Sequence, residues 1–150
     1  GRNGNLLLNI PVDNRGLIHP NDSSALIQFA TLRKKSFVNL LTKTNNKISG
    51  TGNPEVNVSL NTPILANTLM LQEPIALGQR VAEFQVVLED EKGNLELISA
   101  KTIGNKRMIT FKERKLKNIK ISILKSRAQV LISNLELYRV ISTHNESLFH

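Results

Sequence analysis

The sequence predicts a mainly β protein, in which a short strand-loop-helix unit precedes an antiparallel β-sandwich or jelly roll. Three observations lead to this prediction: seven or eight short apolar runs follow residue 54, turn residues separate them, and one helical pattern precedes them. The 150 residues, 40% of them hydrophobic, suffice for one ordinary domain with a packed core. Because the chain has no cysteine, disulfides and thiolate metal sites are excluded.

The N-terminal unit begins with a continuous apolar run, Leu6 to Ile10, which is typical of a strand buried on both faces of a parallel sheet. Turn residues follow at Pro11 to Gly16. The helix entry is predicted at His19 to Asp22, and an amphipathic helix is expected from Pro20 to about Phe37, with basic residues at its far end. A lone unit of this kind cannot bury a two-sided strand. We therefore expect Leu6 to Ile10 to dock on the helix or sandwich, or to pair with another copy.

The composition changes after the helix, and residues 42–54, rich in Asn, Thr, Lys and Gly, predict a linker. The later runs alternate apolar and polar residues and predict strands at Val56–Leu60, Leu65–Leu71, Phe84–Glu89, Leu95–Ile98, Met108–Phe111, Ile119–Leu124, Ala128–Ile132 and Leu135–Val140. Pro63 interrupts the pattern, and Asp90–Asn94 is a hairpin turn. The predicted division is a strand-loop-helix unit at 1–41, a linker at 42–54, a sandwich at 55–141 and a tail at 142–150.

The positive charge of the chain, +8 in all, raises the question of nucleic-acid binding. Residues 101–127 carry most of it, opposed only by Glu113. Within this stretch, Lys117 to Ile123 alternates lysines with apolar residues, which predicts a half-buried strand with a solvated lysine face. Neither interleaved aromatics nor helix-turn-helix or zinc-finger spacing accompanies it, so no nucleic-acid partner is expected. No run approaches the ~20 apolar residues of a transmembrane helix, so no membrane partner is expected either.

Several motifs together resemble glycoside hydrolase family 29, the α-L-fucosidases. The stretch "NGNLLLNIPVDNRGLIHPND" resembles the last strand, loop and helix of the family's catalytic (β/α)8 barrel. The stretches "NTLMLQEPIALGQRVAEFQVVLE", "TIGNKRMITF" and "SRAQVLISNLELY" resemble its C-terminal β-sandwich, of the discoidin or galactose-binding type. The resemblance implies a remnant of the barrel followed by this sandwich. It also implies a parent enzyme that hydrolyses terminal α-L-fucosides of fucosylated glycans with retention and works in a periplasmic, secreted or lysosomal compartment; the chain itself shows no signal peptide.

The resemblance assigns no catalytic residue to this chain, because the nucleophile and the acid/base are expected on earlier barrel strands. The chain alone is therefore expected to be inactive. Of the local carboxylates, Asp13 is interpreted as a turn residue and Asp22 as part of the helix entry. His19, His144 and His150 lack ligand spacing, so no metal site is predicted, and no cofactor is expected.

A structural accessory role is favoured for the sandwich, with possible self-association through the exposed barrel remnant. The first alternative is a carbohydrate-binding module, since discoidin-like folds often bind glycans; its candidate residues are Asn67, Gln72, Gln79, Arg80 and Arg127. The structural interpretation of Arg80 and Arg127 is that they anchor loops by donating hydrogen bonds to backbone carbonyls. The chain has no Trp and one Tyr, and Phe84 and Phe111 occupy core-phase positions, which argues against a sugar-stacking platform. The second alternative is a basic nucleic-acid-binding domain.

Overall fold

The structure, a computed structural model, describes residues 7–41, 48–50 and 53–140. Within these ranges it contains one α-helix and eight strands: α1 (Pro20–Ser36), β1 (Phe37–Leu41), β2 (Ile48–Gly50), β3 (Glu55–Gln72), β4 (Val81–Asp90), β5 (Leu95–Lys101), β6 (Arg107–Ser126), β7 (Val130–Ile132) and β8 (Asn134–Val140). The predicted tail, 142–150, lies outside the described residues. No helix in the described ranges has both the length and the apolar character needed to cross a bilayer.

All the described strand pairs are antiparallel, which confirms the predicted class. Six strands form one sheet in the order β1-β8-β3-β6-β4-β5, and β2 pairs with β7. The long strands β3 and β6 pair with each other, but the pairing is irregular between Ser59 and Ile64, around Pro63, which has no N–H to donate. This irregularity separates a first half, beside β4 and β5, from a second half, beside β8 and β1. Such interruptions allow strands to pass from one layer of a sandwich to the other.

The core lies between the two halves of the sheet. A single buried cluster joins residues of β8 and the second half of β3, Leu69, Leu71, Leu135 and Leu137, with residues of β4 and the end of β6, Phe84, Val86, Leu88, Ile121 and Ile123. Each such side chain contributes roughly 1.5–3 kcal/mol when fully buried. The alternation in the sequence therefore identified the inner face, and the β-sandwich prediction is confirmed.

The basic stretch follows the predicted two faces. Ile119, Ile121 and Ile123 are buried, whereas Lys117 is exposed and Lys120 is half-buried. From Ile119 to Ile123, period-two alternation separates the buried isoleucines from Lys120, as expected. Lys117 is in phase with these isoleucines but exposed, and the pairing of β6 with β4 shifts register between Leu116 and Asn118.

Helix α1 begins at the predicted residue and ends one residue before the predicted boundary. The Nδ1 atom of His19 accepts a hydrogen bond from the backbone N–H of Asn21 at 3.2 Å, Asp22 lies in the first turn, and the last turn is basic. The predicted apolar face is only partly covered: Leu26 and Ala30 are half-buried, whereas Phe29 is 54% exposed. Ile27, beside this face, is 68% exposed.

The strand predicted at Leu6–Ile10 is wrong for the residues that the structure describes, 7–10, and Leu6 lies outside them. These residues form no strand, and Leu7 is 95% exposed. The reason is that a strand buried on both faces needs neighbouring strands, and no described strand pairs with this segment. The following loop closes on itself through an isolated bridge between Val12 and Ile18.

Two strands were not predicted from the sequence. β1 pairs with β8, directly after the helix, and β2 pairs with β7 inside the stretch predicted to be a linker. Both segments are short and take their hydrogen bonds from strands far along the chain, so local composition gave no sign of them. Conversely, β3 and β6 each run through two predicted strands.

Candidate functional site

Three connecting segments meet at one end of the sandwich, which we call the loop end: residues 73–80, 102–106 and 127–133, the last of which includes the short strand β7. Backbone hydrogen bonds join them to one another and to β3. The N–H of Glu73 donates to the carbonyl of Gly104 at 2.8 Å, that of Arg127 to Arg80 at 2.8 Å, and that of Ser133 to Gln72 at 2.8 Å. The loop end contains most of the residues that sequence analysis selected as candidate sugar-binding groups.

Glu73 organises the loop end from within, because this residue is only 3% exposed and its carboxylate meets backbone N–H groups there. Its Oε1 accepts hydrogen bonds from the N–H groups of Arg80 at 2.8 Å and Val81 at 2.9 Å, and its Oε2 accepts one from Gly104 at 2.7 Å. Hydrogen bonds to an ionised carboxylate are about twice as strong as those between neutral groups. Gly104 adopts a φ of +64°, a conformation that favours glycine. Glu73 thereby fixes the β3–β4 loop to the β5–β6 loop.

Sequence analysis did not select Glu73. One signal was available: in "LMLQEP", a single acidic residue lies two positions after the apolar residues Leu69 to Leu71. A charged group so close to the core needs partners, and backbone N–H groups supply them here.

The guanidinium of Arg80 anchors two loops. Its Nη1 donates to the carbonyl of Gln129 at 2.8 Å, and its Nη2 and Nε donate to the carbonyl of Leu77 at 3.2 and 3.3 Å. This is the loop-anchoring role that the structural interpretation of the sequence gave to Arg80. Arg127 participates through its backbone, since its N–H donates to Arg80.

The other candidates divide into two places. Gln72, the last residue of β3, borders the loop end, where its Nε2 donates to the carbonyl of Asn105 at 3.0 Å and its Oε1 accepts from Asn134 Nδ2 at 2.7 Å. Gln79 lies exposed beside Arg80. Asn67 lies away from the loop end. Its Nδ2 donates to the carbonyl of Val140, and its Oδ1 accepts from the N–H of Val140, both at 2.8 Å. The structure therefore brings together Gln72, Gln79, Arg80 and Arg127, but not Asn67.

The chemistry available at the loop end is mainly structural. The carboxylate of Glu73, the guanidinium of Arg80 and the amide of Gln72 are bonded to the protein itself. Ligand sites usually combine a few polar groups with apolar and aromatic walls. The three loops contain no aromatic residue. The arrangement therefore holds the loops together and offers little to a sugar ring.

A concave region lies on the outer face of the sheet beside the end of α1, and we call it the helix-end pocket. It has a volume of about 420 Å³ and is lined by Arg33, Lys34, Phe37, Met70, Lys106, Met108 and Tyr138. The rings of Phe37 and Tyr138 meet edge to face, with centroids 6.1 Å apart and an interplanar angle of 86°. The Tyr138 hydroxyl donates to the carboxylate of Glu136, and burial, together with this carboxylate, raises the pKa of Tyr138 to about 12.

The acidic residues near the N-terminus have structural roles. Asp13 Oδ1 accepts from the N–H groups of Arg15 at 2.8 Å and Leu17 at 3.2 Å, and the Arg15 side chain lowers the pKa of this carboxyl. Asp22 lies in the first turn of α1. Both match their interpretation from the sequence. The described residues contain no group of three or more His, Cys, Asp or Glu side chains that could hold a metal ion.

Carboxylates form ion pairs with several cations of the basic stretch. Lys120 pairs with Glu55 at 2.8 Å and Lys115 with Glu91 at 3.4 Å, and Arg114 pairs with Glu96. Hydrogen bonds from Lys120 and then Ser122 lower the pKa of Glu55. The surface of β6 is therefore of mixed charge.

Comparison with known proteins shows similarity to α-L-fucosidases. The chain is 31% identical to Alpha-L-fucosidase 1 of Arabidopsis thaliana over 172 aligned residues, which cover 92% of this chain and 34% of that protein. A solved structure from Bacteroides ovatus, provisionally assigned as an α-L-fucosidase, matches with a TM-score of 0.79 at 33% identity over 91% of this chain and 24% of that one. A glycoside hydrolase 29 family member from an unknown rumen bacterium matches with a TM-score of 0.77 at 26% identity, over 99% and 28% of the two chains. No family model matches the chain.

The extent of these matches places the similarity in one part of the relatives. The chain spans about a third of the length of the curated relatives it matches. Its antiparallel sheet matches the C-terminal β-sandwich of the solved structures. The family resemblance of the sequence motifs is thus confirmed: the chain is related to the C-terminal part of the α-L-fucosidases of glycoside hydrolase family 29.

Proposed function

We propose that this chain is a structural accessory part of an α-L-fucosidase, an enzyme that hydrolyses terminal α-L-fucosides of fucosylated glycans with retention. The observation that carries the accessory role is the loop end, where Glu73 and Arg80 use their charged groups to bind backbone atoms of the protein itself. The similarity of this chain to α-L-fucosidases supports the proposal that the protein to which it contributes has this hydrolytic activity.

A catalytic role for the chain itself has little support. Retaining glycosidases use two carboxyl groups about 5–5.5 Å apart, one as nucleophile and one as acid/base. The two N-terminal candidates already serve other purposes, since Asp13 closes a turn with Arg15 and Leu17 and Asp22 lies at the helix entry. We therefore place the chemistry outside this chain and assign the sandwich to support of the catalytic domain.

The first experiment measures hydrolysis of an aryl α-L-fucoside by the 150-residue chain. We expect no turnover above the buffer rate, because the proposal places the nucleophile and the acid/base outside this chain. Turnover that disappears in the Asp13→Asn or Asp22→Asn variant would contradict the proposal.

The second experiment tests the accessory role directly by building a chimera in which this chain replaces the matching part of the Bacteroides ovatus relative. We expect the chimera to be soluble and to melt well above the same relative with that part deleted. The Glu73→Ala chimera should melt lower than the Glu113→Ala chimera, since only Glu73 is buried and bonded to three N–H groups. Equal melting temperatures for the deletion and the chimera would refute the accessory role.

The two alternative functions have their own readouts. Binding to neutral fucosylated glycans on an array, lost in the Arg80→Gln and Arg127→Gln variants, would establish a carbohydrate-binding module instead. Duplex DNA binding that weakens steeply with salt would establish a nucleic-acid-binding domain. We expect neither, since Arg80 is bonded internally and several cations of β6 are paired with carboxylates.

A further inference from the structure

We propose that the helix-end pocket is a binding subsite for a saccharide that carries a carboxylate or sulfate group. The anionic character follows from the pocket itself, whereas the choice of a saccharide rests on the proposed function in glycan hydrolysis. The loop end plays no part in this site.

Positive charge converges on the pocket from two parts of the chain. Arg33 and Lys34 come from the last turn of α1, and Lys106 comes from the segment just before β6. Among the described residues, neither Arg33 nor Lys34 takes part in an ion pair. This distinguishes them from several cations of β6, which have carboxylate partners.

The nearby carboxylate is already engaged. Glu136 is buried on β8, and the Tyr138 hydroxyl donates a hydrogen bond to it. The pocket lining contains three cationic side chains and no acidic one. An anion placed there gains favourable interactions with a planar guanidinium, which suits carboxylate or sulfate oxygens, and with ammonium groups.

The remaining walls are apolar and aromatic. Met70 is buried, Met108 is half-buried, and the Phe37 and Tyr138 rings stand at nearly a right angle to each other. The C–H faces of a sugar ring can pack on such walls. The volume of about 420 Å³ falls within the range of small-molecule sites. A neutral sugar would use only the walls, and an inorganic anion only the cations, so an acidic sugar is the class that uses both.

The methionines provide a direct probe. The chain has two Met residues, and both line this pocket. With ¹³C-methyl methionine, NMR gives one signal for Met70 and one for Met108, and each reports on the pocket. The titration compares three sugars of the same ring, galactose, galacturonate and galactose 6-sulfate, together with inorganic sulfate.

We expect galacturonate or galactose 6-sulfate to shift both methyl signals in a saturable manner, and galactose and inorganic sulfate to shift them little. Comparison of the two acidic sugars tells whether the site takes the carboxylate or the sulfate form. The Arg33→Gln/Lys34→Gln variant should bind about tenfold more weakly or worse. The matched control, Lys117→Gln/Lys120→Gln, removes two cations from β6 outside the pocket and should bind as the unaltered chain does. Unchanged circular dichroism shows that each variant is folded.

Three results would overturn the inference. Equal shifts with galactose would mean that the cations do not select the ligand. Equal shifts with inorganic sulfate would mean a simple anion site, and the absence of any shift would mean no site. These failures are separate from a failure of the proposed function, which is decided by hydrolysis and by the melting of the chimera.

Discussion

The segment of residues 7–36 and the strands of residues 53–140 show how differently one sequence specifies its parts. In helix α1, the capping interaction of His19 and the charges at both ends agree with the helix, yet Ile27 remains 68% exposed. In β6, Ile121 is 0% exposed because strands on either side place it in the core. Local signals therefore locate the ends of the helix, whereas burial requires partners distant along the chain.

The largest expected effect comes from a matched pair of isoleucines. Ile121→Ala should lower the free energy of unfolding by roughly 2–5 kcal/mol, because it removes buried methyl groups and leaves a cavity. Ile27→Ala should change it by no more than about 0.5 kcal/mol, since that side chain is exposed. Denaturant melts measure both. A cost at Ile27 comparable with that at Ile121 would mean that the helix face is covered in solution.

A smaller loss is expected at the loop end, and it sharpens the comparison by testing polar burial within the sheet region. Glu73→Gln replaces one acceptor oxygen by a donor facing N–H groups, which should cost roughly 1–3 kcal/mol. The control, Glu113→Gln, removes an exposed partner of Arg139 and should cost about 0–1 kcal/mol. Hydrogen exchange at the amides of Arg80, Val81 and Gly104 should quicken only in the first variant. If the two variants prove equally stable, Glu73 does not organise the loops.

A contact between β1 and β8, beside the end of α1, gives a pH effect. Tyr138 packs against Phe37, next to the end of α1, and its pKa is raised from 10.0 to about 12 in the folded protein. A raised pKa means that the folded state holds the proton more tightly, so this contribution to stability is complete below pH 10 and is lost as the pH rises towards 12.

Tyr138 is the one tyrosine of the chain, so ultraviolet absorbance of tyrosinate reports its ionisation without overlap. We expect ionisation above pH 10 in the folded protein, and a decline of stability in this range that is reduced in Tyr138→Phe. If Tyr138 of the folded protein ionises with the ordinary tyrosine pKa of 10.0, its hydroxyl is not held beside Glu136.

The smallest effect is expected on the solvated face of β6. Lys117→Gln/Lys120→Gln should change the free energy of unfolding by no more than about 0.5 kcal/mol, because Lys117 is exposed and the Lys120–Glu55 pair is near the surface. Should this pair prove costlier than Ile121→Ala in the same melts, the assignment of the two faces would be reversed.

The sequence was informative wherever a single strand or helix carries its own pattern. Alternation identified Phe84 and the isoleucines of β6 as core residues, and the signals around Pro20 located the start of α1. The continuous apolar run at Leu6–Ile10 misled, because its described residues have no strand to pair with. A pattern records the environment that suits a segment, and the segment adopts its structure only when that environment is present.

The candidate sites were less predictable, because each depends on segments far apart in the chain. Glu73 bonds to Gly104 across two strands, and the helix-end pocket joins Arg33 with Lys106 and Tyr138. Asn67 was grouped with Arg80 on residue type alone, and the structure uses it to clamp Val140 instead. Residue type indicates what a side chain can bond to, whereas the fold decides which partner it meets.

The paired strands β3 and β6 contribute to both layers of the sandwich, and this has a consequence for how the protein unfolds. Val56 pairs with Ile121 in one layer and Leu69 with Ile109 in the other, so the same two strands would have to separate for either layer to open. We expect a single cooperative transition, in which probes of both layers report the same midpoint. The pairing also joins residues far apart in sequence, so a large loop must close before either layer gains its hydrogen bonds. Refolding should therefore be slow for a domain of this size.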